Sequence, residues 1–208
     1  MGTRVVCFDL GGVVVRICRS FEEAALAANL PLRRVPDDER SRATRRDLIE
    51  RHQRGVLSSQ AFHRELARAL DAVYSPDELA LAHAAVLLGE YPGITETIRS
   101  INGRGLHTAC LSNTSDDHWQ VLTEMPALRS LHARHASHLW GLAKPDPSIY
   151  RRFESEVRAS GDAILFFDDL EENVAAAMRL GWDAVQIDHT GDTAAQVRAA
   201  LAARGVSL

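Results

Sequence analysis

The sequence has few cysteines and no long apolar run. Its three cysteines, Cys7, Cys18 and Cys110, show no CxxC spacing, so we expect neither a disulfide framework nor a cysteine zinc site. No apolar stretch is long enough to cross a bilayer. The first residues carry one Arg and then a short apolar segment, so we also expect no signal peptide. These features together predict a protein of the reducing cytoplasm that has no membrane partner.

An excess of positive charge is also missing. The chain has 24 Lys and Arg against 28 Asp and Glu, which gives a net charge of −4. The basic residues between Arg33 and Arg54 alternate with Asp and Glu, a pattern typical of solvated helix faces. A general nucleic-acid binder needs a basic surface, so we expect no nucleic-acid partner. The sequence does not indicate an oligomeric state.

Short apolar, strand-like stretches alternate with helical ones along most of the chain. The strands are predicted at residues 4–8, 106–111, 163–167 and 183–187. This alternation predicts an α/β fold, with a Rossmann-like parallel sheet flanked by helices. Residues 20–88 differ, because they are rich in Ala, Leu, Arg and Glu and predict about four helices without a strand. We therefore expect a core of residues 1–17 and 89–208, with residues 18–88 as an all-helical insert after the first strand.

Four short polar segments punctuate the predicted core, and three of them directly follow predicted strands. In an open parallel sheet the carboxyl ends of neighbouring strands lie side by side, and ligands bind in the crevice beside them. The gathered groups are carboxylates, a hydroxyl, an amide, a lysine and two glycines, which suit a metal-assisted attack on a phosphate ester. The segments are Asp9-Leu10-Gly11-Gly12, Ser112-Asn113-Thr114, Lys144-Pro145 and Asp168-Asp169.

In order and spacing, these segments resemble the four motifs of the haloacid dehalogenase superfamily. The resemblance runs from Arg4 to about Ile187, and the insert resembles the helical cap of that superfamily. Within that superfamily the segments resemble those of the bacterial α-D-glucose-1-phosphate phosphatases and of the N-terminal phosphatase domain of soluble epoxide hydrolases. The resemblance implies a Mg²⁺-dependent phosphatase that hydrolyses a small phosphorylated metabolite, with sugar phosphates among the candidates, through an aspartyl-phosphate intermediate.

Each segment then has an expected role. Asp9 is the expected nucleophile, and a cation together with Lys144 would offset its repulsion from the phosphate. Backbone N–H groups beside the two glycines can approach the phosphate closely. The expected catalytic residues are Asp9, Lys144, Ser112 and Asn113. The expected phosphate-binding residues are Leu10, Gly11, Gly12, Ser112, Asn113 and Lys144. The expected metal ligands are Asp9, the Gly11 carbonyl, Asp168 and Asp169, with Asp169 as the more direct ligand of the last pair.

One position departs from the pattern of most phosphatases in the superfamily. They carry a second Asp two residues after the nucleophile, as general acid and base, and this chain has Gly11 there. Proton transfer of that kind typically contributes ~10²–10⁴-fold. The glucose-1-phosphate phosphatases that the chain resembles also have glycine there. Their anomeric sugar is a better leaving group than an ordinary alkoxide.

Other interpretations stay open. A 2-haloacid dehalogenase also lacks the second Asp, but it uses no metal and so does not need Asp168-Asp169. A non-catalytic ligand-binding protein is a third hypothesis, motivated by Gly11. The polar segments could also cap helices or lie in solvated turns.

The sequence assigns no catalytic or metal-binding role to several histidine and tryptophan residues. His132, His135 and His138 recur every third residue, but without a partner at metal-ligand spacing we expect them at the surface or half-buried. Trp119 is expected in the core, and Trp140 could lie in the core or at the pocket. The segment 52–55 resembles the part of such caps that faces the active site, although solvated polar residues at a helix end explain it as well.

Overall fold

The computed structural model describes residues 3–208, and a five-stranded parallel sheet forms its centre. The strands of the described range are β1 (Val5–Phe8), β2 (Val15–Ile17), β3 (Leu87–Glu90), β4 (His107–Ser112), β5 (Ala133–Ala136), β6 (Ile164–Asp168) and β7 (Asp183–Gln186). The order in the central sheet is β5-β4-β1-β6-β7, and all its pairs are parallel. The predicted Rossmann-like parallel sheet is therefore confirmed.

Helices cover both faces of this sheet because successive side chains of each strand point to opposite faces. In β1, Val6 and Phe8 pack with one hydrophobic cluster, and Val5 and Cys7 pack with the other.

No helix among residues 3–208 has the length and apolar character needed to cross a membrane. The helices are α1 (Phe21–Ala27), α2 (Glu39–Gln53), α3 (Ser59–Ala69), α4 (Pro76–Ala84), α5 (Ile94–Gly103), α6 (Asp116–Leu122), α7 (Pro126–Arg129), α8 (Ser137–Trp140), α9 (Pro147–Val157), α10 (Glu171–Arg179) and α11 (Thr193–Ala202).

The insert consists of α1 to α4, and serines begin three of these helices. The Ser20 hydroxyl accepts a hydrogen bond from the Glu23 N–H at the start of α1. Ser75 forms a reciprocal capping box with Glu78 at the start of α4. At α3 the capping residue is Ser58, whose hydroxyl accepts a hydrogen bond from the Ala61 N–H. The Ser59 hydroxyl is instead 3.1 Å from His52 Nε2.

A short antiparallel strand pair joins the two ends of the insert. Strand β2 pairs with β3, and β3 includes Leu87 and Leu88, which the sequence pattern placed in a region without strands. The pattern missed this pair because β3 is only four residues long and contains Gly89 and Glu90, which are poor strand formers. Pairing with β2, rather than local preference, defines it.

Candidate active site

The predicted polar segments converge at the carboxyl edge of the sheet. Asp9 directly follows β1, and its backbone N–H donates a 2.8 Å hydrogen bond to the Phe167 carbonyl in β6. Ser112 ends β4 and Asp168 ends β6, the two strands on either side of β1. Asp9, Ser112 and Asp168 are all buried. The strand order therefore brings together groups that are far apart in the sequence.

Lys144 joins two of these carboxylates through its ammonium group. Its Nζ is 2.8 Å from Asp9 Oδ1 and 2.6 Å from Asp168 Oδ2, and its side chain is only 1% exposed. Burial alone would lower the pKa of Lys144, but the carboxylates of Asp168 and Asp9 outweigh it and hold that pKa above its usual range. The lysine is therefore a fixed positive charge at neutral pH.

The ionised form of the Asp9 carboxylate is disfavoured by its surroundings. Burial raises the pKa of Asp9 to about 7, and the attraction of Lys144 opposes this rise only in part. The carboxylates of Asp168 and Asp169 add repulsion. One lysine therefore does not neutralise this group of carboxylates, and a further positive charge beside Asp9 would favour its ionised form.

The two neighbouring aspartates have different partners. Asp168 Oδ1 accepts hydrogen bonds from the Leu170 N–H at 2.9 Å and from Asn173 Nδ2 at 3.0 Å. Asp169 instead forms a 2.6 Å ion pair with Arg19 through its Oδ2. The residue that caps α10 is Leu170, without a side-chain cap, so neither aspartate is its N-cap.

Sequence reasoning missed both Arg19 and Asn173. Asn173 lies in the first turn of α10, five positions after Asp168, where its amide can reach back to the carboxylate. That spacing is a local signal that could have identified it. Arg19 lies between β2 and α1, and only the tertiary fold brings it to Asp169. The sequence contains no local signal for that contact.

One ligand oxygen from each of Asp9, Asp168 and Asp169 lies within 4.8 Å of the others. This donor set contains only oxygen, and hard cations such as Mg²⁺ bind oxygen ligands. The predicted metal-binding carboxylates are thus brought together. Both oxygens of Asp168 accept hydrogen bonds, whereas Lys144 contacts only Oδ1 of Asp9 and Arg19 contacts only Oδ2 of Asp169. Asp9 and Asp169 therefore each keep one oxygen that a cation could bind.

Asn113 and Ser112 differ from each other in their surroundings. The Asn113 side-chain amide donates to the Lys144 carbonyl at 2.8 Å and accepts from the Lys144 N–H at 2.9 Å. Its oxygen and one of its two N–H donors therefore hold the lysine backbone. The Ser112 side chain makes no hydrogen bond to any residue of the range 3–208, and Ser112 lines the adjacent cavity.

The glycine segment after β1 forms a tight turn. Leu10 is buried and its carbonyl accepts hydrogen bonds from three successive N–H groups, while Gly12 donates its own N–H to the Val15 carbonyl at 2.8 Å. Gly12 has φ = +84°, and a Cβ there would come within 2.5 Å of Asp169 Oδ2. Only glycine therefore lets this turn pass so close to the carboxylate.

A cavity of about 400 Å³ lies between the sheet edge and the insert. Gly11, Ser112 and Asn113 line it from the sheet edge, and His52 and His83 line it from the insert. Segment 52–55 therefore faces the core: His52 is 3% exposed, and the Gln53 carbonyl accepts a 2.5 Å hydrogen bond from Ser137 Oγ. A Cβ on Gly55 would lie 2.7 Å from the His138 carbonyl.

Four histidines gather between the insert and α6, and sequence reasoning did not identify them as a group. Burial lowers the pKa of His52 and of His118 to about 4, so both are neutral at pH 7. Burial also lowers the pKa of His63. Their positions show no motif spacing, so only the fold could reveal the group. Its members are His52, His63, His83 and His118.

The remaining singled-out residues take structural positions. The His132 Nδ1 accepts a hydrogen bond from the Thr108 N–H, and the His135 ring packs against Trp140. Trp119 is partly buried against one core cluster, and Trp140 packs against the other. The three histidines from His132 to His138 form no candidate metal group within the described part of the chain.

Comparison with known proteins identifies the family. The family model described as a haloacid dehalogenase-like hydrolase matches residues 3–181. The chain therefore belongs to the haloacid dehalogenase-like hydrolases, as its motifs predicted.

Two curated relatives give more detail. The chain is 30% identical over 145 residues to Phosphatase MT3486 of Mycobacterium tuberculosis (strain CDC 1551 / Oshkosh), across 66% of this chain and 62% of the relative. It is 24% identical over 157 residues to mouse Acyl-CoA dehydrogenase family member 10, across 71% of this chain and 14% of the relative. The chain thus spans less than two thirds of the length of either relative.

Solved structures share the fold. An enzyme of this family from Bacteroides thetaiotaomicron, bt-2542, superimposes with a TM-score of 0.78 at 19% identity, covering 95% of this chain and all of the other. The same enzyme in complex with magnesium and inorganic phosphate gives 0.72 at 16% identity, covering 92% and 97%. The L-2-haloacid dehalogenase of Xanthobacter autotrophicus gives 0.64 at 20% identity, covering 99% and 85%. At these identities the likeness extends to the fold alone.

Replacing Lys144 by Met is expected to destabilise the protein by about 3–5 kcal/mol, because it leaves two buried carboxylates without their partner. Urea unfolding measures the loss. The matched control is Arg129→Met, since Arg129 pairs with Glu124 at 2.8 Å but both side chains are mostly exposed. That change should stay within about 0.5 kcal/mol. Equal losses in the two variants would contradict the account of Lys144.

Replacing Gly12 by Ala is expected to cost more than backbone strain alone. Gly105 supplies the control, because it has a similar φ of +75° and a Cβ there would meet nothing within 4 Å. Gly105→Ala should cost about 1–2 kcal/mol from left-handed backbone strain. Gly12→Ala adds a clash with the Arg19 guanidinium and the Asp169 carboxylate, and it should lose measurably more in urea unfolding. A loss no larger than that of Gly105→Ala would show that Arg19 and Asp169 move aside freely.

Proposed function

We propose that this protein is a Mg²⁺-dependent phosphatase that hydrolyses a small phosphorylated metabolite through an aspartyl-phosphate intermediate on Asp9. The observation that carries the proposal is the position of Lys144, whose ammonium group contacts Asp9 and Asp168 beside the three-carboxylate group. A buried nucleophilic carboxylate next to a fixed cation and an oxygen-only metal site suits attack on an anionic phosphate. The family assignment and the phosphatase relative support the same reaction class.

In this proposal the residues divide the work. Asp9 Oδ2 is the oxygen not engaged by Lys144, and it attacks phosphorus as the ester oxygen departs. Lys144 orients Asp9 and offsets the phosphate charge. The unpaired Ser112 hydroxyl and the backbone N–H groups of Leu10 and Gly11 are the proposed donors to the phosphate oxygens. Asn113 acts through Lys144, because its amide holds the lysine backbone.

The carboxylates of Asp9 and Asp169, with the Gly11 carbonyl, are the proposed ligands of Mg²⁺, and Asp168 orients the site. The ion supplies electrostatic stabilisation of the charge on the transferring phosphoryl group. Arg19 forms an ion pair with Asp169 in this structure. We propose that Arg19 moves away from Asp169 when the cation binds. The magnesium complex of the bt-2542 enzyme, a protein of the same fold, is consistent with this role.

Residues 18–88 are proposed as a cap domain over a core of residues 1–17 and 89–208. Cap residues line the cavity opposite the phosphate site, so they would select the leaving group. Pockets of this size suit small ligands, and a sugar phosphate fits the proposal.

Gly11 stands at the position of the missing general acid, and the Ile17 side chain lies beside it. A Cβ on Gly11 would lie 2.9 Å from the Ile17 Cδ1 atom, so the end of the Ile17 side chain would have to shift to admit a side chain at position 11. We propose that the leaving oxygen departs without a proton from this position.

The test of the proposal is phosphate release from p-nitrophenyl phosphate. Asp9→Asn removes the nucleophile and a metal ligand together, so turnover should fall to background, and EDTA should abolish wild-type turnover until Mg²⁺ is restored. Asp47→Asn is the control, because Asp47 is a largely exposed carboxylate on α2, and it should keep wild-type activity. Substantial turnover by Asp9→Asn, or full activity in EDTA, would refute the assignment.

A second prediction concerns the leaving group. Without an acid at position 11, full negative charge develops on the leaving oxygen, so kcat/KM should fall steeply as the leaving-group pKa rises from aryl to primary alkyl phosphates. The Ile17→Ala variant should keep that steep dependence. The double variant Gly11→Asp/Ile17→Ala should flatten it, because the new carboxyl group gains room to donate a proton. A flat dependence in the wild type would show that another group already supplies the proton.

Halide release, measured beside phosphate release, separates the dehalogenase hypothesis from the phosphatase proposal. A 2-haloacid dehalogenase acts on carbon without a metal, so the third carboxylate, Asp169, would have no role in its reaction. Release of halide from 2-chloropropionate by the EDTA-treated protein, with no phosphate release under any condition, would favour it.

A further inference from the structure

A second group of possible metal ligands lies at the cavity that Gly11 and Ser112 also line. It consists of His52 on α2, His83 on α4 and Asp117 on α6, and one ligand atom from each lies within 4.8 Å of the others. The His83 Nε2 is 3.3 Å from Asp117 Oδ2, and the His52 Nε2 is 3.8 Å from Asp117 Oδ1. Bonds of 2.0–2.1 Å in a tetrahedral zinc site place ligand atoms about 3.3 Å apart. The His83–Asp117 pair already has that spacing, and the His52 ring would have to move closer to Asp117.

The neighbours of this cluster orient its ligands. The Ser115 hydroxyl donates a 2.5 Å hydrogen bond to Asp117 Oδ1. The His118 ring stacks on the His83 ring at 3.9 Å, and His118 Nε2 donates to the His83 carbonyl at 2.8 Å. The Ser115 bond is of the kind that typically holds a metal-binding carboxylate in position.

A fourth imidazole lies beside the cluster without a partner. His63 is 8% exposed, and its Nε2 has no hydrogen-bond partner among the described residues. Its ring centroid is 5.4 Å from that of His83. A buried polar atom without a partner costs about 1–3 kcal/mol, and a bond from His63 Nε2 to the ion or to a water on the ion would offset that cost.

We propose that His52, His83 and Asp117 bind a divalent transition-metal ion of the zinc class, at a site separate from the carboxylates beside Asp9. The two donor sets differ in chemistry. Imidazole nitrogen suits zinc-class ions, whereas carboxylate and carbonyl oxygens suit Mg²⁺. The Asp117 side chain is 35% exposed and gives the ion a path from solvent.

The site joins the insert to the core. His52 and His83 belong to helices of the insert, and Asp117 belongs to α6, which packs on the sheet. A bound ion therefore links α2 and α4 to α6 and holds the cavity wall closed. The Ser59 hydroxyl lies 3.1 Å from His52 Nε2, and the Ser115 hydroxyl lies 3.3 Å from His83 Nε2. Both nitrogens must give up these contacts when the ion binds.

The experiment titrates the metal-free protein with Co²⁺ in saturating Mg²⁺, so that Mg²⁺ occupies the oxygen site. Tetrahedral Co²⁺ with nitrogen ligands gives intense visible absorption, whereas Co²⁺ surrounded by six oxygens absorbs weakly. We expect one intense site per chain that Zn²⁺ displaces. Asp117→Asn and His83→Gln should each weaken Co²⁺ binding by more than about 100-fold, beyond the ~10–100-fold typical of a supporting residue.

The control is His107→Gln, because His107 lies at the opposite end of β4, where its ring stacks on His132 at 5.1 Å. This variant should bind Co²⁺ as the wild type does. Thermal unfolding of each variant establishes that it is folded. If His83→Gln does not fold, the near-isosteric Asp117→Asn variant alone tests the loss of Co²⁺ binding. Weak absorption in the wild type, or equal Co²⁺ affinity in Asp117→Asn and His107→Gln, would overturn the proposal. The readout does not depend on catalysis, so either outcome leaves the phosphatase assignment to its own test.

Discussion

The buried ammonium group of Lys144 is the interaction on which the rest of this site depends. It contacts Asp9 after β1 and Asp168 at the end of β6, while Asn113 after β4 holds its backbone through two hydrogen bonds. All four sequence segments are thereby joined through one residue. Desolvation makes such buried pairs expensive, and they often contribute little net stability. The arrangement is therefore better explained by the position that it imposes on Asp9 than by the stability that it adds.

The charges around Lys144 constrain the chemistry in turn. Three carboxylates converge there, and Lys144 and Arg19 are the cations that contact them. Burial raises the pKa of Asp9 despite Lys144, so the protein's own cations do not fully stabilise the charged nucleophile. The proposed Mg²⁺ supplies the missing positive charge, and the close approach of the Gly12 turn to Asp169 leaves no room for a larger residue there.

Much of the fold and of the sheet-edge site could be predicted from the sequence, because both follow from local patterns. Apolar runs defined β1, β4 and β6, and parallel topology then placed Asp9, Ser112 and Asp168 at one edge. The contacts of Arg19 with Asp169 and of Ile17 with Gly11 were not predictable, since they depend on how β2 pairs with β3. The histidine group was missed because its members come from four different helices and share no spacing.

The cavity has two chemically different ends, and this difference follows from which elements form each one. Strand ends and their turns supply carboxylates and N–H groups at the sheet edge, where a hard cation and a phosphate suit the donors. The insert supplies His52, His63 and His83, and α6 adds His118; burial keeps His52 and His118 neutral at pH 7. These two rings therefore offer hydrogen bonds rather than charge to a bound molecule. On the proposed function, the sheet edge fixes the reaction, and the histidine end of the cavity faces the leaving group.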